Sequence, residues 1–402
     1  MISSEYTRDL LISGSKSKII LLVIDGLGGL PDSTTGKSEL DTASLPNLDR
    51  LVRGSSCGML SPLGPGFTPG SGPAHLALFG YDPWRWKIGR GALSALGTGM
   101  DFRVGDIAAR LNFCTVDKSG LVTDRRAGRI STDESQALCE ILSEVKIPDV
   151  EFSLKAEMDY RVGVVFRGEE LSENVTESDP QKTGVAPIKV SASEPGGEKM
   201  MWAVNSFLKQ TKKLLSGQPR ANMVLIRGFA TFPTLPSFSH IYGLNALAIA
   251  TYPMYRGVAK AAGMSTVVSD NNLSSACLLL KQYWDEFDFF FIHNKGTDSA
   301  GEDGDFDKKV RQLEEIDNQI PQLIEQEPSV LVVTGDHSTP SIMRSHSWHS
   351  VPVALASSFA QPHVGASFSE NGCRDGSIGT ISSSSLMALV LAHSGRLGKY
   401  GA

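Results

Sequence analysis

The run Lys18-Ile-Ile-Leu-Leu-Val-Ile24 stops abruptly at Asp25-Gly26. A strand with one face in water alternates apolar and polar residues, whereas a strand buried on both faces does not. The unbroken apolar run therefore reads as a central parallel strand. The carboxyl ends of such strands form the rim where open α/β sheets gather their ligands. The same grammar returns late in the chain. Phe287–Ile292 runs into His293-Asn-Lys-Gly-Thr-Asp298, and Val330–Val333 runs into Thr334-Gly-Asp336-His337. A third run, Val351–Ala356, is instead preceded by its polar group, His346-Ser-Trp-His349. Between the first two, Phe306, Val310, Leu313, Ile316, Ile320 and Leu323 step by three and four, as a helix requires. Strand, helix and strand predict an α/β core whose mostly parallel sheet is covered by helices on both faces.

The middle of the chain differs. Short strand-like pieces (Ala109–Val116, Arg161–Arg167, Met223–Arg227) stand among turns and arginines, and Leu171–Gly184 and residues 191–198 read as exposed loops. The expected organisation is a core of residues 1–87 and 237–402 carrying an inserted α+β domain, residues 88–236. Tyr242–Ala250 and a helix at Met254–Ala262 resume the core pattern.

The chain has 402 residues, 41% hydrophobic and 20% charged, with a net charge of -6. Those are the proportions of a globular protein, and the acidic balance argues against a nucleic-acid or membrane-surface partner. No apolar run approaches the length of a membrane span. Met1-Ile-Ser-Ser-Glu lacks the basic and apolar regions of a leader, so a cytoplasmic location is expected. The 5 cysteines are scattered without C-x-x-C spacing and read as free thiols.

Gly66-Phe-Thr-Pro-Gly-Ser71-Gly-Pro-Ala-His75 is a Gly/Pro turn leading into an apolar helical pattern, with Pro73 suited to the first helical position. Ser71 would meet the positive end of that helix, a natural seat for phosphate. A serine needs activation to act as a nucleophile. Asp25, Asp298, Glu302, Asp336, His337 and His346 all fall at or beside predicted strand ends. Carboxylates mixed with imidazoles suit Mn2+, Zn2+ or Mg2+, and a pair of such ions can lower the pKa of a bound hydroxyl and clamp a phosphoryl group. His75 lies one helical turn from Ser71. In the insert, Arg110, Asn112, Asp124-Arg125-Arg126, Arg129, Arg161 and Arg167 form an arginine-rich group suited to a small, multiply anionic substrate. The alternative is internal pairing with Asp106, Asp117 and Asp124. Asp25-Gly-Leu-Gly-Gly lacks dinucleotide-loop spacing, and Gly70-Ser71-Gly72 is not a G-x-S-x-G elbow.

Val23-Ile-Asp25-Gly-Leu-Gly-Gly, Thr42-Ala-Ser-Leu-Pro-Asn-Leu-Asp49, Thr68-Pro-Gly-Ser71 with Ala77-Leu-Phe-Gly-Tyr-Asp-Pro83, Asp124-Arg-Arg-Ala-Gly-Arg129, Lys295-Gly-Thr-Asp298 and Thr334-Gly-Asp336-His337-Ser-Thr-Pro340 resemble, in colinear order, the archaeal-type cofactor-independent phosphoglycerate mutases of the alkaline phosphatase superfamily. The resemblance implies an alkaline-phosphatase-like core holding two divalent ions, Mn2+ first with Mg2+, Co2+ or Zn2+ as alternatives, and no 2,3-bisphosphoglycerate. Asp25, Ser71, Asp336 and His337 would hold one ion; Asp298, His346 and Glu302 would hold the other. Ser71 would take the phosphoryl group of 3-phosphoglycerate and return it to the 2-hydroxyl. His75, Arg110, Arg125, Arg126, Arg129, Arg161 and Arg256 would bind the substrate. Three positions depart from the family pattern: Glu302 where a histidine is usual, Gly72 where an aspartate is usual, and Trp348-His349 for Gly-Asp. They leave a metal-dependent phosphomonoesterase and a catalytically silent phosphoglycerate-binding homologue as rival expectations. Nothing in the sequence specifies the assembly state.

Overall fold

The structure, a computed structural model, describes residues 4–270 and 272–401; Met1-Ile2-Ser3, part of the segment read above for a leader, lies outside them. It divides into two compact units, Met1–Lys87 with Leu235–Ala402, and Ile88–Thr234. Leu235 and Pro236, expected in the insert, go with the first unit, where the Pro236 carbonyl accepts a hydrogen bond from the Tyr81 phenol at 2.8 Å. In chain order the strands are β1 (Ile19–Ile24) and β2 (Ser56–Ser61), then β3 (Ile107–Val116), β4 (Val122–Asp124), β5 (Glu151–Met158), β6 (Arg161–Arg167) and β7 (Met223–Thr231). β8 (Ala246–Ile249), β9 (Ser265–Val267), β10 (Phe289–Asn294), β11 (Val330–Thr334), β12 (Val351–Ser357) and β13 (Gly379–Ser382) complete the first unit. No helix among the described residues is long and apolar enough to cross a membrane.

The first unit is built on an 8-stranded sheet of order β13-β2-β12-β11-β1-β10-β8-β9. β1 lies between β10 and β11, parallel to both, and every one of its residues is buried. On one face Ile20, Leu22 and Ile24 pack with Leu48, Val52, Leu313 and Leu323 from the helices. On the other, Phe291 meets Phe79, and Phe289 meets Phe238. β12 runs antiparallel to both neighbours. Its direction explains why its polar group precedes it: a strand running the other way enters from the rim that β1, β10 and β11 leave by. Asp25, Asp298, Asp336, His337 and His346 are thereby delivered to one edge. The helix expected through Leu323 is two helices, Phe306–Asp317 and Ile320–Ile324, because Pro321 supplies no N–H to continue the first and instead opens the second.

Two loops on this rim are fastened from beneath. Gly26 has φ +64, and a Cβ there would stand 2.6 Å from Thr339 Oγ1 and 2.8 Å from Asp298 Cα, so only glycine fits. Lys309, wholly buried, donates to the carbonyls of Gly28 and Thr339 at 2.9 Å each and lies 3.9 Å from Glu39. One ammonium thus ties the loop after β1 to the loop after β11. Glu39 in turn accepts from the Ser341 N–H at 2.8 Å, and Glu370 accepts from the Gly29 N–H at 2.7 Å. Replacing Lys309 by Met keeps the volume but leaves the buried Glu39 carboxylate without its ammonium and takes a donor from the Thr339 and Gly28 carbonyls, of which Gly28 keeps the Thr339 N–H at 3.1 Å. We expect Lys309→Met to cost about 3–5 kcal/mol in urea unfolding. A loss within ~0.5 kcal/mol would mean that the ammonium does not hold the loops together.

The second unit is a βαββαβ plait. β3 lies between β6 and β7, all antiparallel, with β5 outside β6 and β4 on the last residues of β3. The helices Thr132–Leu142 and Glu198–Leu214 cover one face and add Leu138, Leu142, Val204 and Phe207 to its core. The segment Leu171–Gly184 is less exposed than its hydrophilic sequence suggests, because Ser178 and Asp179 are buried. Ser178 Oγ accepts from the Ile226 N–H at 2.8 Å. Asp179 takes both arms of the Arg125 guanidinium at 3.0 and 2.7 Å, with Arg227 at 3.6 Å. Burial pushes the Asp179 carboxyl up, but the Arg125 fork and the Gln181 N–H outweigh it and hold the group below its ordinary value. Its contribution to stability is therefore complete above about pH 4 and lost as pH falls through the folded value. Asp179→Asn should lower the urea midpoint at pH 7, and the gap from wild type should close as pH falls through the lowered folded value. A gap that persists in acid would assign the loss to packing.

Candidate metal centre

Asp25 follows β1, and Asp336-His337 follow β11, the strand paired directly beside it. All three side chains are wholly buried. His337 Nε2 lies 3.4 Å from Asp25 Oδ1 and 3.1 Å from Asp336 Oδ2. None of those three atoms has a hydrogen-bond partner among the described residues. The surrounding bonds show which of them carry protons. Thr339 Oγ1 donates to Asp298 Oδ1 at 2.8 Å, so it can only accept from His337 Nδ1 at 3.1 Å. The proton is then on Nδ1, and Nε2 turns a lone pair towards two carboxylate oxygens. Two buried carboxylate oxygens and an imidazole nitrogen that face one another, with no hydrogen-bond partner among the described residues, make an arrangement a divalent cation satisfies.

A second group joins it. Asp298, on the helix Gly296–Asp303, lies with His337 and His346 such that their ligand atoms all fall within 4.8 Å of one another, as do those of Asp25, Asp336 and His337. His337 belongs to both groups, whereas the sequence assigned it to one. Its ring stacks on that of His346 at 3.7 Å. His346 Nδ1 donates to the Pro69 carbonyl at 2.9 Å, which aims Nε2 at Asp298 Oδ1, 3.4 Å away. Glu302, one helical turn beyond Asp298, stays outside both groups: it is half exposed, with Oε1 3.9 Å from His346 Nε2. Trp348 and His349 stack on each other at 4.9 Å and join neither group.

Ser71 is bracketed by this cluster. The helix runs Ser71–Leu78 with Gly70 as its cap, so Ser71 is the first helical residue and Pro73 the third, two positions later than expected. Proline is still tolerated there because first-turn N–H groups have no partner within the helix. Pro69, two residues before Ser71, holds His346, and His75, one turn after it, reaches Asp336. His75 Nδ1 donates to the Ser71 carbonyl at 2.8 Å and lies 3.4 Å from Asp336 Oδ2. Expected to contact substrate, His75 is instead wholly buried, because its ring packs on Tyr255, Phe291 and His293. It supports the turn from behind.

The electrostatics describe a site short of positive charge. Burial, with Asp25 and Asp298 nearby, drives the Asp336 carboxyl well above its usual range. Burial also raises Asp25, but Lys295, His293 and His337 overcome it and leave that carboxyl well below. Burial and Asp25 push Asp298 up, while His346, Lys295 and His337 bring it down to about 2. Burial takes His337 down to about 4 and His75 to about 3, so both imidazoles are neutral at pH 7 and free to ligate or accept.

Lys295 is the residue that the motif reading passed over. Its Nζ stands 3.3 Å from Asp25 Oδ2 and 2.9 Å from Asp298 Oδ2, so one ammonium spans both groups. Tyr255 and His293 were missed as well; Tyr255 donates to Asp25 Oδ2, and His293 Nε2 lies 3.5 Å from it. A signal for His293 was present, since it ends the same apolar run that delivers Asp298. The arginines divide. Arg167 is paired with Asp106 and Asp101, Arg125 with Asp179, and Arg161 lies 3.5 Å from Asp159; of the partners named for internal pairing, Asp106 alone is among them. Arg110 is buried on β3 opposite Arg227 of β7. Arg126 and Arg129 are exposed on a turn that Asp124 holds by accepting from the N–H groups of Arg126 and Gly128 at 2.8 and 2.6 Å. Arg256, in the first unit, donates to the carbonyls of Ala250 and Thr251.

Residues 53–221 match the profile of a family described as 2,3-bisphosphoglycerate-independent phosphoglycerate mutase. A protein of Thermus thermophilus that carries the name probable 2,3-bisphosphoglycerate-independent phosphoglycerate mutase is 45% identical over 397 residues, 98% of each chain. One of the same name from Thermotoga maritima is 45% identical over 394 residues, again 98% of each. Among solved structures, a Pyrococcus horikoshii protein matches with a TM-score of 0.83 at 26% identity, over 97% of this chain and 100% of its own. A cofactor-independent phosphoglycerate mutase from Thermoplasma acidophilum matches with a TM-score of 0.70 at 27% identity, over 94% and 100%.

Proposed function

The chain belongs to the 2,3-bisphosphoglycerate-independent phosphoglycerate mutases, and from that premise we propose that it interconverts 3- and 2-phosphoglycerate through a phosphoserine on Ser71 beside a two-cation centre. The observation that carries the centre is the set of buried atoms Asp25 Oδ1, Asp336 Oδ2 and His337 Nε2, which face one another with no hydrogen-bond partner among the described residues. Asp25, Asp336, His337 and the Ser71 hydroxyl would hold one ion; Asp298 and His346 would hold the other, with His337 shared and Glu302 within reach. When bound, such ions lower the pKa of a hydroxyl and neutralise phosphoryl oxygens.

The remaining work falls to the chain itself. Ser71 offers its hydroxyl at a helix N-terminus, whose free N–H groups donate to phosphate oxygens. Lys295 supplies an ammonium that touches both groups of carboxylates and can follow charge as the phosphoryl group passes to Ser71 and back. The exposed Arg126 and Arg129 carry guanidinium groups of the kind that pair with carboxylate or phosphate. The glycerate must stay bound while its 2-hydroxyl replaces its 3-hydroxyl before the phosphoserine, and water must be kept out, since hydrolysis is the competing outcome. Mn2+ is the favoured ion for a site this rich in oxygen donors, and the cytoplasm the favoured location.

The test uses metal-stripped protein with Mn2+, Mg2+, Co2+ or Zn2+ returned singly, 3-phosphoglycerate as substrate and phosphorus NMR as readout. The 2-isomer should accumulate to equilibrium without free phosphate. Phosphate release without isomer would make the protein a hydrolase. Ligand-induced stabilisation without turnover under any metal would make it a binding protein.

A further inference from the structure

Each carboxylate that faces His337 is held by one oxygen and presents the other. Asp336 is held through Oδ1 by the Gly26 N–H at 3.1 Å, and its Oδ2 points at His337. Asp25 follows the same plan with a side chain in place of the backbone. Its Oδ2 accepts from the Tyr255 phenol and from Lys295 at 3.3 Å, whereas Oδ1 has no partner among the described residues and faces His337 at 3.4 Å. We infer that Tyr255 is a positioning residue, whose O–H pins Asp25 by Oδ2 so that Oδ1 alone is turned to a divalent cation. The inference rests on the two-cation reading above and goes beyond it by assigning a role to a residue outside the ligand set.

Tyr255 is built for this task. It is wholly buried on the helix Pro253–Ala261, and its ring stacks on His293 at 3.6 Å. The stack fixes the ring plane, and with it the direction of the phenol. Lys295 cannot do the same work, because its ammonium also serves Asp298, and three rotatable donors fix no angle. A carboxylate pinned at one oxygen loses the freedom to rotate or chelate, so the ligand atom and its direction are set before the ion arrives. Partners of this kind govern affinity for the ion at about the 10–100-fold level.

Tyr255→Phe removes the O–H and keeps the ring. The experiment titrates metal-stripped full-length wild type, Tyr255→Phe and Asp25→Asn with Mn2+ alone, using electron paramagnetic resonance of the free ion and calorimetry, beside thermal unfolding of the metal-free forms. The expected result is an affinity for one ion lowered about 10–100-fold in Tyr255→Phe, with the metal-free melting temperature held and turnover restored by excess Mn2+. Mn2+ affinity within twofold of wild type in Tyr255→Phe, while Asp25→Asn loses an ion, overturns the inference and leaves the centre standing. A lowered melting temperature with unchanged affinity overturns it too, by making the phenol structural. If Asp25→Asn binds Mn2+ like wild type, the reading of the centre itself fails.

Discussion

Ser71→Ala should abolish isomerisation of phosphoglycerate, by about six orders of magnitude in kcat if the hydroxyl is the phosphoryl acceptor. The size of the effect follows from chemistry that nothing else nearby can replace. No other hydroxyl stands at the N-terminus of the helix Ser71–Leu78, and direct passage between the substrate's adjacent 2- and 3-oxygens would close a five-membered ring in which attacking and leaving oxygens cannot be in line. The substitution should leave the rest in place, because the Ser71 side chain caps nothing and its carbonyl, which His75 uses, is retained. The melting temperature of the metal-free protein is therefore expected to match wild type. Acid-quenched wild-type protein incubated with labelled 3-phosphoglycerate should carry label on Ser71, and the variant none. Turnover within tenfold of wild type in the alanine variant would remove the phosphoserine from the mechanism.

Much of the rim was legible because its residues end strands. Ile19–Ile24 can only be a strand buried on both faces, and a strand of that kind announces where its loop and its carboxylate must lie. His346 was legible for the opposite reason, since it precedes an apolar run and enters the rim on the antiparallel β12. What escaped notice were polar side chains whose partners lie far along the chain. Lys309 stands next to Lys308, yet one is wholly buried and the other exposed. The clue was periodicity: position 309 shares the apolar stripe of Phe306 and Leu313, and a lysine in such a stripe needs acceptors from another segment. Asp179 looked like part of a hydrophilic loop because hydropathy cannot see the Arg125 fork that neutralises it. His75 looked accessible because sequence proximity to Ser71 does not say which way a helical side chain turns. Tyr255 gave no signal at all, being an aromatic residue in an apolar helix face, and only the fold brings it to Asp25.

His337→Ala should strip both ions, where His346→Ala removes only one of them. The distinction comes from the geometry of a single ring. His337 Nε2 faces Asp25 and Asp336, and the same residue falls within the Asp298 and His346 group. Removing the ring leaves Asp25 and Asp336 as bare carboxylates with no neutral ligand between them, and takes away the Nδ1 proton that Thr339 accepts. Thr339 also donates to Asp298, so the hydroxyl that orients the second group's carboxylate keeps that bond but loses the His337 N–H that fixes it. His346 has no such reach, since it faces Asp298, Glu302, the Pro69 carbonyl and the ring of His337, and neither Asp25 nor Asp336 shares its group. Metal content after dialysis, measured by mass spectrometry on protein loaded with Mn2+, should fall from both ions to essentially none in His337→Ala and to one in His346→Ala, with isomerase activity lost in each. Equal losses in the two variants would mean that His337 serves one ion only, as the sequence pattern alone suggests. Retention of both ions in His337→Ala would exclude its ring from the centre, and with it the set of facing acceptors on which the two-cation reading stands.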